Sequence, residues 1–419
     1  MILPGFEKVL EGGQGMSTSL LYHALNIVGY RHRKTEYLGR EIIFTVEQDP
    51  TTVRCPRCDS RNLIRRGTVD RRFRAPCFAF KQIVIRLAVQ RIQCRACGVV
   101  RQVKIGFADE NRRFIRQFER YVLELSRYMT IQDVAHHLGV SWDVIKDIQK
   151  RYLGRKFSRP KLRHLRCIAI DEITIGKGYR FVTVVLDLQS GAVVFVGEGK
   201  DAKALDLFFK RVRKARARIQ AVAIDMSNAY IQAVTKHLPK AVIVFDHFHV
   251  IKLYNEKLTV LRRDLYREAT DLLQKKVLKG TRWLLLKNPE NLDDCRNERQ
   301  RLAEALALNG PLATAYYMKD YLRLLWKQSD KTTAALLLED WVRRAQASGI
   351  RMLKDFAKTL LLHKHGILAW YDYPISTGPL EATNNKIKTL QRQAYGFRDR
   401  EFFILKIYAL HLTKHALVG

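Results

Sequence analysis

Apolar and polar positions change their period several times along the chain. The run Tyr37-Leu38-Gly39-Arg40-Glu41-Ile42-Ile43-Phe44-Thr45-Val46 has strand composition, and β-rich text continues to about Ile105. Phe114, Phe118, Tyr121, Val122 and Leu125 then recur at helical spacing, with Arg113, Arg116, Arg120 and Arg127 mostly opposite. Two further helices are predicted, over Ile131–Leu138 and from Trp142 through Ile148, separated by Gly139-Val140, with Ser141 suited to cap the second. The basic linker Arg155–Arg163, with Pro160, marks a boundary. Beyond it come strands at Leu165–Ile170, Phe181–Leu188 and Ala192–Val196, the last two joined by a turn at Ser190-Gly191. A helix at Ala202–Arg218, a strand at Ala221–Ile224, a helix at Ala229–His237 and a strand at Ala241–Phe245 follow. That order, βββ-α-β-α-β, reads as a mixed sheet with helices on its faces. From about His249 to Trp370 the pattern is helical, and Tyr371–Gly419 holds a turn-rich stretch and one or two helices. Residues 1–15, with Gly12, Gly13 and Gly15, carry no period and read as a flexible extension ahead of Met16.

Length and charge narrow the function. A chain of 419 residues is long enough for about three domains of ~150 residues. Its 75 Lys and Arg against 41 Asp and Glu give a net charge of +34 at 47% hydrophobic residues. A folded protein of that charge calls for a polyanionic partner, nucleic acid first and an anionic membrane surface second. No apolar run reaches the length of a membrane span, and no secretion signal is read at the start, so a cytoplasmic setting is expected. Seven cysteines, an odd number, argue against a disulfide framework and for a reducing compartment.

Four of those cysteines carry chemistry. Cys55-Pro56-Arg57-Cys58 and Cys94-Arg95-Ala96-Cys97 are two knuckles 35 residues apart, each able to offer two thiolates to one ion, so one structural Zn²⁺ is expected. The alternative is four unrelated thiols. Cys77 reads as a stray buried thiol, and Cys167 and Cys295 as core residues. Residues 51–120 hold 18 Lys or Arg and 5 Asp or Glu. Arg57, Arg61, Arg65, Arg66, Arg71, Arg72 and Arg74 would therefore make the zinc module a nucleic-acid surface. The helix pair at 131–148 matches a DNA-binding helix-turn-helix, with Ser141, Trp142, Asp143 and Lys146 at the leading end of the reading helix. His136 and His137 are expected at the surface or in packing.

Ile168-Ala169-Ile170-Asp171 and Val222-Ala223-Ile224-Asp225 are apolar runs ending in Asp, as where a buried strand meets the ligand-binding edge of a sheet. Glu381 follows Gly378-Pro379 at the start of a helix. Three acids on adjacent elements suit two Mg²⁺ ions about 4 Å apart, the clamp used in phosphodiester chemistry. Helix caps and ion pairs are equally ordinary uses of such acids, and spacing alone leaves them open.

These residues together resemble the insertion-sequence transposases of the ISL-three family, in the wider group with an Asp-Asp-Glu site. The resemblance rests on both cysteine knuckles, Ala169-Ile170-Asp171-Glu172, Ala223-Ile224-Asp225-Met226-Ser227, the run from Gly378 to Lys388 and Ala394-Tyr395-Gly396-Phe397-Arg398, and spans about residues 16 to 415. It implies a multidomain protein. A β-rich zinc-binding module (16–108) and a helix-turn-helix domain (109–158) precede an α/β ribonuclease-H-like catalytic domain (159–248 and 371–419). That domain is interrupted by an all-helical insertion (249–370). Asp171, Asp225 and Glu381 look like the catalytic acids, holding two Mg²⁺ (or Mn²⁺), and Lys388, with Lys386 and Arg392, like DNA contacts beside them. Asp246 and His249 resemble an accessory Asp-x-x-His pair, with a strand-end acid and a packing histidine as the alternative. Trp283 would stack on a splayed base or fill a core. The implied activity is cleavage at terminal inverted repeats and joining of the 3′ ends to target DNA, by a homodimer on paired ends in the bacterial nucleoid. Two other readings remain: a non-enzymatic DNA-binding regulator, and a nuclease that cuts without joining.

Overall fold

The computed structural model describes residues 20–176 and 180–411; the expected extension at 1–15 lies outside them. Two compact units divide the chain, one running to Tyr152 and the other beginning at Leu153. Among the described residues, no helix is long and apolar enough to cross a membrane.

The first unit opens with a short helix α1 (Leu20–His23) and the strands β1 (Tyr30–Leu38) and β2 (Glu41–Gln48). The run expected as one strand over 37–46 is thus broken in two, because Gly39 adopts φ +55° and reverses the chain. β3 (Leu63–Phe78) and β4 (Lys81–Cys94) form a long antiparallel ribbon, registered from Leu63 opposite Cys94 to Phe78 opposite Lys81. β2 and β5 (Val100–Gln102) pair with successive stretches of β4. Both cysteine pairs therefore lie at the same end of the ribbon.

Three helices follow: α2 (Arg116–Leu125), α3 (Ile131–Leu138) and α4 (Trp142–Phe157). α3 starts in a capping box, in which the Thr130 side chain and Asp133 satisfy each other's backbone amides, and ends at Gly139 with φ +60°. Arg74 donates to the Leu138 carbonyl at 2.8 Å and satisfies that helix end. Phe73, Ile85 and Leu87 of the ribbon share one buried cluster with Phe118, Val134, Leu138, Ile145 and Ile148. The stretches expected as separate zinc and helix-turn-helix modules thus contribute to a single core.

The second unit is built on β6 (Cys167–Thr174), β7 (Phe181–Asp187), β8 (Val193–Glu198), β9 (Ala221–Ile224) and β10 (Val242–Phe245), in the order β10-β9-β6-β7-β8. β6, β7 and β8 are antiparallel neighbours, while β9 and β10 run parallel to β6. The helix expected over 202–218 is a 3₁₀ turn at Ala202–Leu205 followed by α5 (Asp206–Ala215), and α6 (Asn228–His237) links β9 to β10. α7 (His247–Glu268) leaves the sheet edge and begins a helical block. It continues through α8 (Leu272–Gly280), α9 (Arg282–Leu286), α10 (Glu298–Ala307), α11 (Gly310–Arg323), α12 (Lys331–Ala347), α13 (Arg351–Leu362) and α14 (Lys364–Leu368). Tyr254 and Trp341 lock this block by donating to the Ala315 and Met318 carbonyls at 2.7 and 2.8 Å. α15 (Gly378–Gln393) and α16 (Arg400–Ala409) complete the unit.

Period-two alternation decides what meets what. Ile168, Ile170, Val222 and Ile224 point to the face packed by α5, α6 and α7. Ala169, Val184, Leu186 and Ala223 point to the face covered by Leu380, Ile387 and Leu390 of α15. Asp171, one position after Ile170, therefore falls on the α15 side.

β8 approaches the 3₁₀ turn so closely that a Cβ on Gly197 would sit 2.2 Å from the Ala204 carbonyl oxygen. Gly197→Ala should destabilise the protein by about 1–3 kcal/mol. Gly310→Ala, where a Cβ meets nothing within 4 Å, should be close to neutral. Chemical denaturation of the two variants checks the contrast.

Candidate active site and cysteine centre

The parallel register of β6, β9 and β10 lines up three aspartates. Ile224 pairs with Phe245, and Ala223 with Ala169, so Asp225 and Asp246 stand one residue past their strands in the row that contains Asp171. This is the carboxyl edge of a parallel segment, where open α/β sheets place ligands. Asp171 accepts the Glu172 amide at 2.8 Å and the Asn384 side-chain amide of α15 at 2.9 Å. Asp225 accepts the Ser227 amide at 3.1 Å, an Asx turn that leads into α6. Burial, the neighbouring Glu172 carboxylate and, more weakly, Asp225 push the Asp171 carboxyl up to about 6.

Asp246 does a different task. It is 2% exposed, accepts the Thr377 hydroxyl at 2.7 Å and faces Nδ1 of His249 at 3.1 Å. Burial opposes its charge, but His249, Thr377 and His247 together hold the carboxyl below its usual range, and the bond to Asp246 raises the His249 imidazole. Thr377 immediately precedes α15, so this triangle fastens the start of that helix to the end of β10. Sequence reasoning flagged Asp246 and His249 and missed Thr377 and Asn384. The available signal was Asn384 on the buried stripe of α15, with Leu380, Thr383, Ile387 and Leu390.

Glu381 stands one turn before Asn384 and is exposed. It lines a cavity of about 630 Å³ with Phe248, Lys252, Asn255, Arg263 and Arg282. Asp171, Asp225 and Glu381 do not form a set of carboxylate oxygens all within 4.8 Å; among the described residues only the four cysteines meet that condition. The aspartate pair does suit a divalent cation: the oxygens are hard donors, their charges repel, and the buried Asn384 Oδ1 beside them has no hydrogen-bond partner. Trp283 is 66% exposed under the Arg282 guanidinium, not in a core.

Cys55, Cys58, Cys94 and Cys97 bring their sulfurs within 4.8 Å of one another. The knuckles are alike. Asp59 (φ +59°) and Gly98 (φ +71°) close them in the left-handed region, each donating its amide to the carbonyl of the first cysteine. Around Cys94, burial is outweighed by amides of Cys97 and Ala96 and the thiols of Cys58 and Cys55, which draw it down to about 6. Cys58 accepts the Ser60 amide, but its bond to Cys97, burial and its bonds to Cys94 and Cys55 push it up to about 12. Four sulfurs converging this closely, two from each knuckle, fit the donor set of a tetrahedral ion. Cys295, expected in a core, is exposed, and Cys167 and Cys77 are half-buried.

Of the expected nucleic-acid contacts, Lys386, Lys388, Arg392, Arg57, Arg65, Ser141 and Trp142 are exposed, as are His136 and His137. Lys146 sits 5.3 Å from the Trp142 ring. Arg66 and Arg72 are exposed while bonded to Gln93 and Glu41. Arg71 departs from the expectation: half-buried, it lies over Phe73 and donates to the Arg112 carbonyl, where it serves packing.

Comparison with known proteins gives this geometry a family. Residues 168–407 match a family model described as transposase, and residues 103–153 match the helix-turn-helix domain of transposase family ISL3. The transposase for insertion sequence element IS1001 of Bordetella parapertussis is 33% identical over 377 residues, 88% of this chain and 92% of that protein. The transposase for insertion sequence element IS1557 of Mycobacterium tuberculosis is 27% identical over 84% of each. The Drosophila P element transposase strand transfer complex aligns at a TM-score of 0.25 and 13% identity, covering 70% of this chain and 78% of that one, too distant to carry argument. The chain belongs to the ISL3 family of insertion-sequence transposases, DNA-cutting and strand-transfer enzymes whose chemistry implies a divalent metal.

The raised Asp171 carboxyl has a consequence for stability. With its folded value near 6 and its unfolded value near 3.8, its charge disfavours the fold at neutral pH, and that effect fades as pH falls from 6 towards 4. Asp171→Asn should therefore stabilise the metal-free protein at pH 7.5 by on the order of 1–2 kcal/mol, with the gain vanishing near pH 4. Thermal melts without added Mg²⁺ across that range check it.

Proposed function

We propose that the chain cuts DNA at the terminal inverted repeats of its element and joins the freed 3′ ends to target DNA, on a ribonuclease-H-like catalytic domain. Supporting the architecture is the strand order β10-β9-β6-β7-β8, with an antiparallel β6-β7-β8 meander and parallel β9 and β10. The helical block from α7 to α14 is then an insertion between β10 and α15. The observation that carries the reading is the pairing of Asp171 and Asp225 on adjacent parallel strands, with α15 held against them through Asn384.

Asp171 and Asp225 are assigned as metal-holding acids. Glu381 is assigned as the third on its position, one helical turn from Asn384. Two Mg²⁺ (or Mn²⁺) would supply charge neutralisation at the attacking and leaving oxygens. The protein's share is placement. Asn384 fixes the Asp171 rotamer, the Asp246–Thr377–His249 triangle sets the start of α15, and Lys386, Lys388 and Arg392 present cations to the phosphate backbone beyond Glu381. No serine or tyrosine nucleophile is needed. In the first unit, the cysteine centre holds one Zn²⁺ that fixes the end of the ribbon, and Arg57, Arg65, Arg66 and Arg72 with the α4 leading end grip the terminal repeats. Two ends must be paired, so a homodimer on DNA in the bacterial cytoplasm is the working form.

Metal analysis of the purified chain should give one Zn²⁺ per chain. Cys58→Ser should lose it together with terminal-repeat binding, and a folded, metal-free wild type refutes the assignment. Strand transfer with Mg²⁺ on an end-sequence oligonucleotide separates the readings. Joining expected of the wild type should fall by several orders of magnitude in Asp225→Asn and Glu381→Gln. Full joining by either variant overturns the triad, nicks without joining would mark a nuclease, and neither product would mark a binding regulator.

A further inference from the structure

At its far end α15 closes with a turn that the catalytic reading does not use. Tyr395 and Gly396 both take positive φ, +50° and +97°, and donate to the Arg392 and Gln391 carbonyls at 3.1 and 2.9 Å. The second of these positions is filled by glycine, as such helix ends favour. The first carries a tyrosine at a conformation that disfavours a bulky side chain by about 1 kcal/mol or more. Its ring packs on nothing: Tyr395 is 101% exposed. A large aromatic side chain placed in solvent on strained backbone has no folding rationale, and such outliers gather at ligand sites.

The ring stands at the rim of a cavity of about 500 Å³ that this turn lines together with Ile175, Gly176 and Arg180. Arg180, Lys388, Arg392 and Arg400 line it, and Phe397, stacked on Phe403 at 4.8 Å, belongs to its wall. Glu198 lies 3.2 Å from Arg400 on the surface. Asp399 is taken up in capping α16, where it accepts the Phe402 amide at 3.0 Å. Lys388 lies seven residues past Glu381, about 10 Å along the same helix, so the cavity is within a nucleotide or two of the proposed reaction centre.

We propose that this cleft is a single-stranded DNA subsite. Arg180, Lys388, Arg392 and Arg400 hold the phosphates of an unpaired nucleotide, and Tyr395 stacks on its base. The volume is that of a small-ligand pocket, about 300–1,000 Å³, and the uncovered ring can offer a face to one base. Bases inside a duplex have both faces covered by neighbours and cannot use it. The cations supply affinity without sequence preference, and the ring selects unpaired over paired DNA. The proposal rests on the reading of the chain as a DNA-joining enzyme, and names where the strand runs after it passes Glu381.

The test measures binding, not joining. Full-length, zinc-loaded protein without added Mg²⁺ is titrated with a blunt duplex and with the same duplex bearing a short single-stranded 3′ tail that contains 2-aminopurine. The wild type should prefer the tailed duplex and quench the probe. Tyr395→Ala should lose about tenfold in affinity for the tailed duplex alone, together with the quenching. Tyr395→Phe should retain both, which separates stacking from a loss of folding. Arg180→Ala and Arg400→Ala should each lower the salt slope on the tail by about 0.7. No preference for the tail in the wild type, an unchanged Tyr395→Ala, or equal losses on both duplexes overturns the proposal. Binding without Mg²⁺ does not draw on the acid triad, so failure of the joining assay and failure of this one are read separately.

Discussion

A carboxylate buried at the edge of a sheet, beside Glu172 and more weakly opposed by Asp225, is costly to charge, and the second unit is arranged around keeping it there. Asp171 is fixed by the register of β6, Asp225 by the end of β9, and neither can withdraw without breaking strand pairing. Hydrogen bonds from Glu172 and Asn384 to Asp171 and from Ser227 to Asp225, with the nearby His249, soften that cost and do not remove it. A site that stores unfavourable charge in this way is suited to a cation, because binding relieves what folding could not.

α15 is the second fixed point. It is separated from β6 in sequence by the whole helical block, and it reaches the acids by two polar contacts: Asn384 to Asp171, and Thr377 to the buried Asp246. The apolar stripe of Leu380, Ile387 and Leu390 supplies the adhesion, while those hydrogen bonds supply the register. Asp246 and His249 thus act through α15 as positioning residues. The helix then carries its exposed residues in order, Glu381, Lys388, Arg392 and at its close Tyr395, along one track.

Much of this was legible beforehand because it is local. The βββ-α-β-α-β order follows from alternation and period, the cysteine knuckles from two short spacings, and the helix-turn-helix from a capping residue, a glycine and two apolar stripes. Where the reading slipped, a local feature was overridden. Gly39 split one apparent strand into a hairpin, a 3₁₀ turn displaced the start of α5, and Arg71 was drawn from the surface by the face of Phe73. Cys295 and Trp283, both apolar enough for a core, sit on a helical block whose interior is already filled by Trp341, Tyr254 and Phe356.

The sequence by itself determined which residues were available: acids closing apolar strands, paired cysteines, a surplus of cations, and family motifs spread over nearly the whole length. Tertiary structure decided which of them meet. Strand register put Asp171, Asp225 and Asp246 in one row, alternation turned Asp171 towards α15, and Asn384 and Thr377 became site residues only when that helix docked. The physical reason is that side-chain chemistry is carried by each residue alone, whereas proximity across more than two hundred positions is set by the summed burial of faces, which no short stretch of chain contains.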